Sequence, residues 1–276
     1  MIKSSKLFLY LNFISQNMII IKLGGSVITD KNKKFTFKSE IMDKLSKNIK
    51  RSNKQLIIVH GAGSFGHIIA NEYNLNQGYK RIEQIKGFSL THEKVQTLNS
   101  LVLKSLQNHD INAVSISPHS IVKLNNHKIQ KIDYQIFEEY LEKNFTPVTF
   151  GDVVLDSALG FSICSGDLLI EALSKHFKPE KVVFVIDEDG IYTANPKIDK
   201  TAKLIQKTTL KELETFSTAV NKHSDVTGGM AGKILTIKNI VKNNKETFLV
   251  NGNKQDRLYK LLVGEKTIST IIKGEK

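Results

Sequence analysis

Short aliphatic runs alternate along the chain with longer segments whose apolar positions recur every three or four residues. The clearest runs begin at Met18, Leu56 and Lys181, and glycine or acidic residues follow them closely. Such runs are too short for buried helices and are typical of buried strands. Residues 38–50 and 87–107 instead carry apolar side chains at helical spacing. Strands that alternate with helices predict an α/β fold around a mainly parallel sheet.

The rest of the sequence continues this alternation, without an internal repeat or a low-complexity linker. Further strands are predicted at 113–116, at 247–250 and, in two pieces around Gly151 and Asp152, within 147–155. Further helices are predicted at 134–143, 165–176, 209–216, 229–241 and 255–262.

The composition limits the classes of protein that the chain can belong to. Of 276 residues, 40 are Lys or Arg and 27 are Asp or Glu, which gives a net charge of +13. This excess fits nucleic acid, an anionic membrane or an anionic small substrate, but the lysines are spread along the chain and no RNA-binding signature accompanies them. No apolar window is long enough for a spanning helix. The single cysteine, Cys164, excludes an intrachain disulfide, and we expect a cytoplasmic location.

Residues 1–17 superficially resemble a signal peptide, with lysines followed by a short apolar run. No small-x-small cleavage site follows, and Asn12 interrupts the apolar run. We therefore expect translation to start naturally at Met18 and residues 1–17 to be a dispensable extension. Sequencing the N-terminus of the native protein tests this expectation.

The most informative stretch is residues 55–67, QLIIVHGAGSFGH, in which a predicted strand runs into Gly61, Gly63 and Gly66. A glycine turn lets backbone N–H groups approach an anion, and a helix starting near Gly66 would add its positive end. His67 would project a ring donor from the first turn of that helix. The glycines also satisfy the dinucleotide pattern G-x-G-x-x-G, which needs an acidic residue at the end of the next strand about 20 positions later. Residues 82–88, which correspond to that position, are not strand-like. A simple structural turn remains the alternative.

Other glycine or acidic sites lie at predicted strand ends and helix starts. Lys22 precedes Gly24 and Gly25, and Asp167 lies at the start of a predicted helix. Residues 225–233, DVTGGMAGK, are one residue short of a Walker A loop and lack its Ser or Thr. Each such site alone is more often a helix cap or a loop. Together they suggest a polyphosphate held between two helix ends.

Residues 22–26, 187–196 and 225–230 together resemble the amino-acid kinase family, whose members use ATP to phosphorylate carboxylate, carbamate or phosphate oxygens. Residues 60–67 are similar to the subgroup that phosphorylates isopentenyl phosphate to the diphosphate. The resemblance extends from Met18 to the C-terminus. It implies a three-layer α/β sandwich in one domain, 18–276, with a mainly acceptor-binding lobe at 18–164 and a mainly nucleotide-binding lobe at 165–276.

The resemblance also implies roles for individual residues. Lys22 and Lys233 would neutralise charge on the transferred phosphoryl group, Asp167 would orient both lysines, and Lys31 would add a third cation. His67 would donate a hydrogen bond to the acceptor phosphate. The implied ATP-binding residues are Lys22, Gly24, Gly25, Ser26, Asp187, Asp189, Gly190, Tyr192, Asn195, Pro196, Gly228, Gly229 and Lys233. The implied acceptor-binding residues are Gly61, Ala62, Gly63, Gly66, His67, Phe88 and Gly166.

Several points rest on the resemblance alone or stay open. It implies Mg²⁺ held by the ATP phosphates without protein ligands, and a homodimer. Phe88 could line a pocket for the prenyl tail, but Thr91 is less apolar than such a pocket needs, so the accepted tail length is open. We expect His60 and Asp152 to have structural roles. The alternatives are another small phosphate or phosphonate kinase of the same family, such as one of the fosfomycin-resistance type, and a non-catalytic nucleotide-binding sensor of the same fold. A nucleic-acid-binding protein ranks last.

Overall fold

A computed structural model describes residues 18–213, 236–242, 244 and 246–274. The strands are β1 (Ile19–Leu23), β2 (Leu56–His60), β3 (Ala113–Ser115), β4 (Val122–Asn125), β5 (Lys128–Ile132), β6 (Thr146–Phe150), β7 (Asp152–Asp156), β8 (Gly160–Cys164), β9 (Lys181–Ile186), β10 (Ile191–Tyr192), β11 (Leu204–Ile205), β12 (Lys207–Thr209), β13 (Glu246–Asn251) and β14 (Ser269–Lys273). The helices are α1 (Gly25–Ile28), α2 (Ser39–Ser52), α3 (Gly63–Glu72), α4 (Glu83–Gln107), α5 (Pro118–Ile121), α6 (Gln135–Glu142), α7 (Gly166–Phe177) and α8 (Arg257–Val263).

The centre of the fold is an eight-stranded sheet in the order β12-β14-β13-β9-β1-β2-β6-β3. The strands from β13 to β3 are all parallel, while β14 runs antiparallel to β13. Every residue of β1 and β2 is buried, because helices cover both faces of the sheet. The predicted α/β fold around a mainly parallel sheet is therefore confirmed.

The alternation of side chains along the strands produces a core on each face of the sheet. Ile20, Ile57 and Val182 lie in one buried cluster, together with apolar residues of α6 and α7. Ile19 and Ile58 lie in the other cluster, together with apolar residues of α2, α4 and α8. The result is the three-layer sandwich that the family resemblance implied.

A second, four-stranded sheet in the order β5-β4-β7-β8 was not predicted in full, since only the β7 strand was expected. Asp156, at the end of β7, stabilises the turns of this sheet through its carboxylate. Its carboxylate accepts hydrogen bonds from the N–H groups of Asn126 and His127 at 2.9 Å and from the Ser162 hydroxyl at 2.8 Å. These bonds hold the pKa of Asp156 well below its usual range, against the opposing effect of burial.

Two predicted helix starts were wrong. Helix α3 begins at Gly63 rather than near Gly66, so His67 lies beyond the first turn. Helix α4 begins at Glu83 rather than at Gly87. Within the helices predicted at 209–216 and 229–241, residues 210–213 and 236–241 are helical, and residue 209 ends β12 instead. Residues 214–216 and 229–235 lie outside the described residues. Residues 1–17 lie outside the described residues, and the predicted division into two lobes stays a prediction.

No helix within 18–213, 236–242 or 246–274 combines the length and the apolar character needed to cross a membrane.

Candidate active site

Several backbone segments meet at the edge where the parallel strands β1, β2 and β6 end. An ideal Cβ on Gly25 would lie 2.7 Å from the Gly63 nitrogen, and one on Gly61 would lie 2.8 Å from the Gly25 nitrogen. An ideal Cβ on Gly151 would lie 3.2 Å from the Gly166 nitrogen. Side chains larger than hydrogen would push these segments apart. The starts of α1, α3 and α7 therefore converge, and the first N–H groups of a helix have no acceptor within it.

The side chain of Thr29 joins the two glycine turns. Its hydroxyl donates to the Gly25 carbonyl oxygen at 2.7 Å and accepts from the Ser64 N–H at 3.0 Å. Gly63 has a φ of +51°, and a Cβ at this position would overlap the Thr29 hydroxyl. Glycine at position 63 is therefore required by both the backbone conformation and the available space.

Lys22 is a buried cation at the centre of this convergence. Its side chain, at the end of β1, is only 7% exposed, and its ammonium forms an ion pair with the Asp167 carboxylate. Asp167 lies in the first turn of α7, where the Ser165 hydroxyl caps the helix by accepting the Leu168 N–H at 3.1 Å. A buried lysine charge is tolerated only with a close partner, so Asp167 fixes the ammonium in place.

His67 lies on α3 with its side chain exposed, beside the two lysines of the cleft. The surrounding protein, which partly displaces water, lowers the pKa of this imidazole. The positive charge of Lys22 lowers the pKa of His67 further, Asp167 opposes this, and Lys31 adds to the lowering. At neutral pH the ring is therefore uncharged and retains one N–H to donate.

Lys31 places a second ammonium at the mouth of the cleft. Its Nζ lies 3.2 Å from Oδ2 of Asp187, the residue that follows β9, and its side chain is 64% exposed. This pair joins the loop after α1 to the predicted nucleotide-binding side. Because the Lys31 ammonium is itself exposed, an incoming phosphate can compete with Asp187 for it at low cost.

A small cavity, named here the His67 cavity, opens beside these charges and has a volume of about 70 Å³. It is lined by Ala62, Gly66, His67, Ala70, Thr91, Val95, Gly151, Asp152, Val153, Ile163, Ser165, Gly166 and Asp167. The lining combines helix-start N–H groups and charged side chains with small or branched apolar ones. This combination suits a small ligand with an anionic head and an apolar body. Among the described residues, Phe88 does not line the His67 cavity. It packs against Phe161 instead, with ring centroids 5.2 Å apart.

The predicted nucleotide-binding residues after β9 form an ordered loop. The Asp189 carboxylate accepts hydrogen bonds from Arg257 at 2.6 Å and from Asn251 at 2.8 Å. The next turn is tied to β14, because the Ile191 N–H donates to the Thr270 hydroxyl at 2.8 Å. Asp189 thus acts on the shape of the loop, while Tyr192 continues it into β10. Asn195 and Pro196 lie farther along the same segment.

Gly228, Gly229 and Lys233 lie outside the described residues, so their predicted roles stay predictions. Gly24 and Ser26 flank Gly25, and the Ser26 carbonyl oxygen accepts from Lys38 Nζ at 2.9 Å. Within the described residues, no group of three or more His, Cys, Asp or Glu side chains could hold a metal ion.

Sequence reasoning missed a pair of residues in this region. His92 Nδ1 lies 2.8 Å from Asp152 Oδ2, and Asp152 lines the His67 cavity. The two residues are 60 positions apart, so no sequence spacing could have indicated their contact. His60 is fully buried and stacks on Phe150, and burial lowers its pKa to about 4, as expected for a structural histidine.

The fold and the site place the chain in a known class. A profile of the amino acid kinase family matches residues 17–251, and the chain belongs to this family. Two curated relatives are the isopentenyl phosphate kinases of Methanothermobacter thermautotrophicus and Methanocaldococcus jannaschii. The first is 38% identical over 94% of this chain and 100% of its own length, and the second is 35% identical over 90% and 96%. A solved structure described as an X-ray structure of isopentenyl phosphate kinase superposes with a TM-score of 0.81 at 35% identity, covering 92% of this chain and 99% of its own.

Proposed function

We propose that this chain transfers the γ-phosphoryl group of ATP to isopentenyl phosphate, which yields isopentenyl diphosphate and ADP. The chain covers nearly the whole length of relatives named for this activity, at up to 38% identity among those compared above. The observation that carries the proposal is the His67 cavity, in which apolar side chains adjoin the converging starts of α3 and α7 and the Lys22–Asp167 pair.

The acceptor supplies its own nucleophile in this reaction. A phosphate monoester loses its second proton near pH 6, so an acceptor oxygen is already anionic at neutral pH. That oxygen forms a new bond to the γ-phosphorus while the bond from the γ-phosphorus to the bridging β-oxygen breaks, and the electron pair leaves with ADP. No general base is needed, and the site must instead bring two anions together and neutralise their repulsion.

The charged and polar groups of the site can neutralise the negative charges of the two phosphates and hold them close together. Lys22, fixed by Asp167, neutralises charge on the transferred group, and Lys31 can exchange Asp187 for a phosphate oxygen. His67, which is neutral in the free enzyme, donates its N–H to an acceptor oxygen without taking that oxygen's charge. Gly63 and Gly166 bring backbone N–H groups of two helix starts to the same place.

We further propose the finer features that the family resemblance implies. Lys233 is the second lysine at the transferred group. Mg²⁺ enters with ATP and is held by its phosphates, since the described residues around Lys22 present cations and N–H groups rather than a set of oxygen ligands. Bound there, Mg²⁺ neutralises phosphate charge. The enzyme works as a cytoplasmic homodimer.

A panel of acceptors tests the reaction. Purified protein with ATP and Mg²⁺ is given isopentenyl phosphate, fosfomycin or acetylglutamate, and release of ADP is measured. We expect turnover with isopentenyl phosphate to exceed turnover with the other acceptors by at least about tenfold. Lys44→Met, on the surface of α2, serves as a control for Lys22→Met, which should lose about 10³-fold in kcat.

The alternatives that the sequence left open are not favoured. A phosphonate kinase would release more ADP with fosfomycin than with isopentenyl phosphate in the same panel. A sensor would bind ATP and release no ADP with any acceptor, and the retention of Lys22, Asp167, His67 and Lys233 argues against that function.

A further inference from the structure

The pair formed by Asp152 and His92 joins two walls of the His67 cavity. Asp152 begins β7, and its side chain is fully buried. One carboxylate oxygen accepts the Val153 N–H at 2.8 Å, and the other lies 2.8 Å from His92 Nδ1. His92 belongs to α4, a different element.

The residues beside each partner line the cavity directly. On the strand side these are Gly151 and Val153, and on the helix side the adjacent lining residue is Thr91. An ideal Cβ on Gly151 would lie only 3.2 Å from the nitrogen of Gly166, at the start of α7. A shift of β7 relative to α4 would therefore change both the width of the cavity and the position of a helix-start N–H.

The surroundings of the pair make it sensitive to protonation. Asp152 is the cross-strand partner of Cys164 on β8, and its charge acts on the Cys164 thiol. The His119 ring of α5 lies tilted beside the His92 ring, with ring centroids 4.5 Å apart. Burial raises the pKa of Asp152, and the hydrogen bond from His92 opposes this. The hydrogen bond to Asp152 raises the pKa of His92. Glu93 and Lys94, the adjacent charged residues of α4, pair with each other.

We propose that His92 and Asp152 are positioning residues for the acceptor: their contact anchors α4 to β7 and keeps the His67 cavity in its binding shape. The pair touches neither the transferred group nor the nucleotide side. It acts on the affinity for the acceptor, and this affinity weakens as His92 loses its proton. The proposal rests on the proposed function, because the acceptor is the phosphate monoester named there.

Steady-state kinetics with isopentenyl phosphate test the pair. His92→Gln should raise the acceptor KM about tenfold near pH 6, with kcat and the ATP KM changed by less than about twofold. The ratio of variant to wild-type acceptor KM should fall as pH rises to about 9, because neutral His92 keeps an N–H donor to Asp152 but loses the charge that strengthens this bond. Taking this ratio cancels the titration of the acceptor itself and of His67.

Two further variants separate positioning from general damage. Asp152→Asn keeps the shape of the side chain and removes its charge, so the KM difference between this variant and the wild type should also depend on pH. His109→Asn breaks a similar pair with Asp43, 2.7 Å long, on the surface, and should match the wild type at every pH. Melting temperatures of all variants report folding.

The possible failures are distinguishable. If the wild type uses isopentenyl phosphate but His92→Gln and Asp152→Asn leave the acceptor KM unchanged, or change it equally at all pH values, the positioning role is wrong. If the wild type transfers no phosphate to isopentenyl phosphate, the proposed function is wrong and this proposal is wrong with it.

Discussion

At the scale of single residues, the active site combines a buried, paired charge at Lys22 with more exposed groups at Lys31 and His67. Lys22 is buried and paired with Asp167, and the same lysine lowers the pKa of His67. A neutral histidine can donate a hydrogen bond to an anionic substrate without adding a net charge to the free enzyme. The surrounding protein, which partly displaces water, and the two nearby lysines together lower the pKa of His67, so its imidazole is unprotonated in a site rich in cations.

The role of His67 leads to a prediction for kcat. His67→Ala should lower kcat by about 10²–10⁴-fold, because it removes the donor to the acceptor oxygen, and the ATP KM should stay nearly constant. His67→Gln retains an N–H donor and should recover part of the loss. Steady-state kinetics with each substrate varied in turn measure both effects. An equal loss of kcat and of ATP affinity in His67→Ala would contradict this role.

His60 leads to a prediction for stability. Burial lowers its pKa from 6.5 to about 4, so its contribution is complete above pH 6.5 and is lost as pH falls toward 4. At about pH 4.5, the loss of this contribution lowers the free energy of unfolding of the wild type by roughly 2–3 kcal/mol relative to neutral pH. His60→Gln should lack that part of the acid sensitivity. Denaturant unfolding at both pH values, by circular dichroism, measures the difference, and equal losses in both proteins would contradict the prediction.

Several site residues could be predicted because their types occur beside glycines at strand ends. Lys22, Asp167 and His67 are in this group, and the structure brings them together. The contact of Asp152 with His92 could not be predicted, since it depends on how α4 packs against β7. The carboxylate of Asp189 could not be assigned either, because its partner Arg257 comes from a distant helix.

At the scale of elements, the site depends on close contact between two glycine turns, one after β1 and one after β2. The sequence predicted both turns and the strands before them. It did not predict the start of α3 correctly, because the positive φ of Gly63 belongs to the first helical residue rather than to a preceding loop. Strands β4, β5 and β8 of the small sheet were also missed, since all three are short and β4 and β5 are at least half polar.

Gly63 provides a test at this scale. Gly63→Ala should destabilise the protein by about 1–3 kcal/mol and raise the acceptor KM, because the new Cβ is strained and displaces Thr29. Gly264→Ala is the matched control. Gly264 has a φ of +84° but nothing within 4 Å of its ideal Cβ, so only backbone strain is added. Thermal melting and kinetics measure both variants, and an unchanged acceptor KM in Gly63→Ala would contradict the account.

At the scale of the whole molecule, one sheet runs through both predicted lobes. Strands β2, β6 and β3 extend from β1 on one side, and β9, β13, β14 and β12 extend on the other. The seam between the predicted lobes is therefore the parallel pairing of β1 with β9, which is buried on both faces. The order of the strands in the sheet could not be predicted from any local sequence pattern, although the alternation of strands and helices predicted a mainly parallel sheet.

The shared sheet predicts cooperative unfolding. Because β1 and β9 cannot separate without exposing both cores, calorimetry should show a single transition, and ATP should raise its midpoint. A fragment containing only residues 18–164 should not give a cooperative transition. Two resolved transitions in the full chain, only one of which responds to ATP, would show that the lobes fold independently.

The central claim is that ATP and a small isoprenoid monophosphate meet at Lys22. The most direct measurement uses ATP labelled on its γ-phosphate, with isopentenyl phosphate as acceptor, and follows the label by chromatography. We predict that the label appears in the terminal phosphate of isopentenyl diphosphate, and that Lys22→Met slows this transfer about 10³-fold. Label found only in inorganic phosphate, or in a diphosphate formed equally fast by Lys22→Met, would contradict the account.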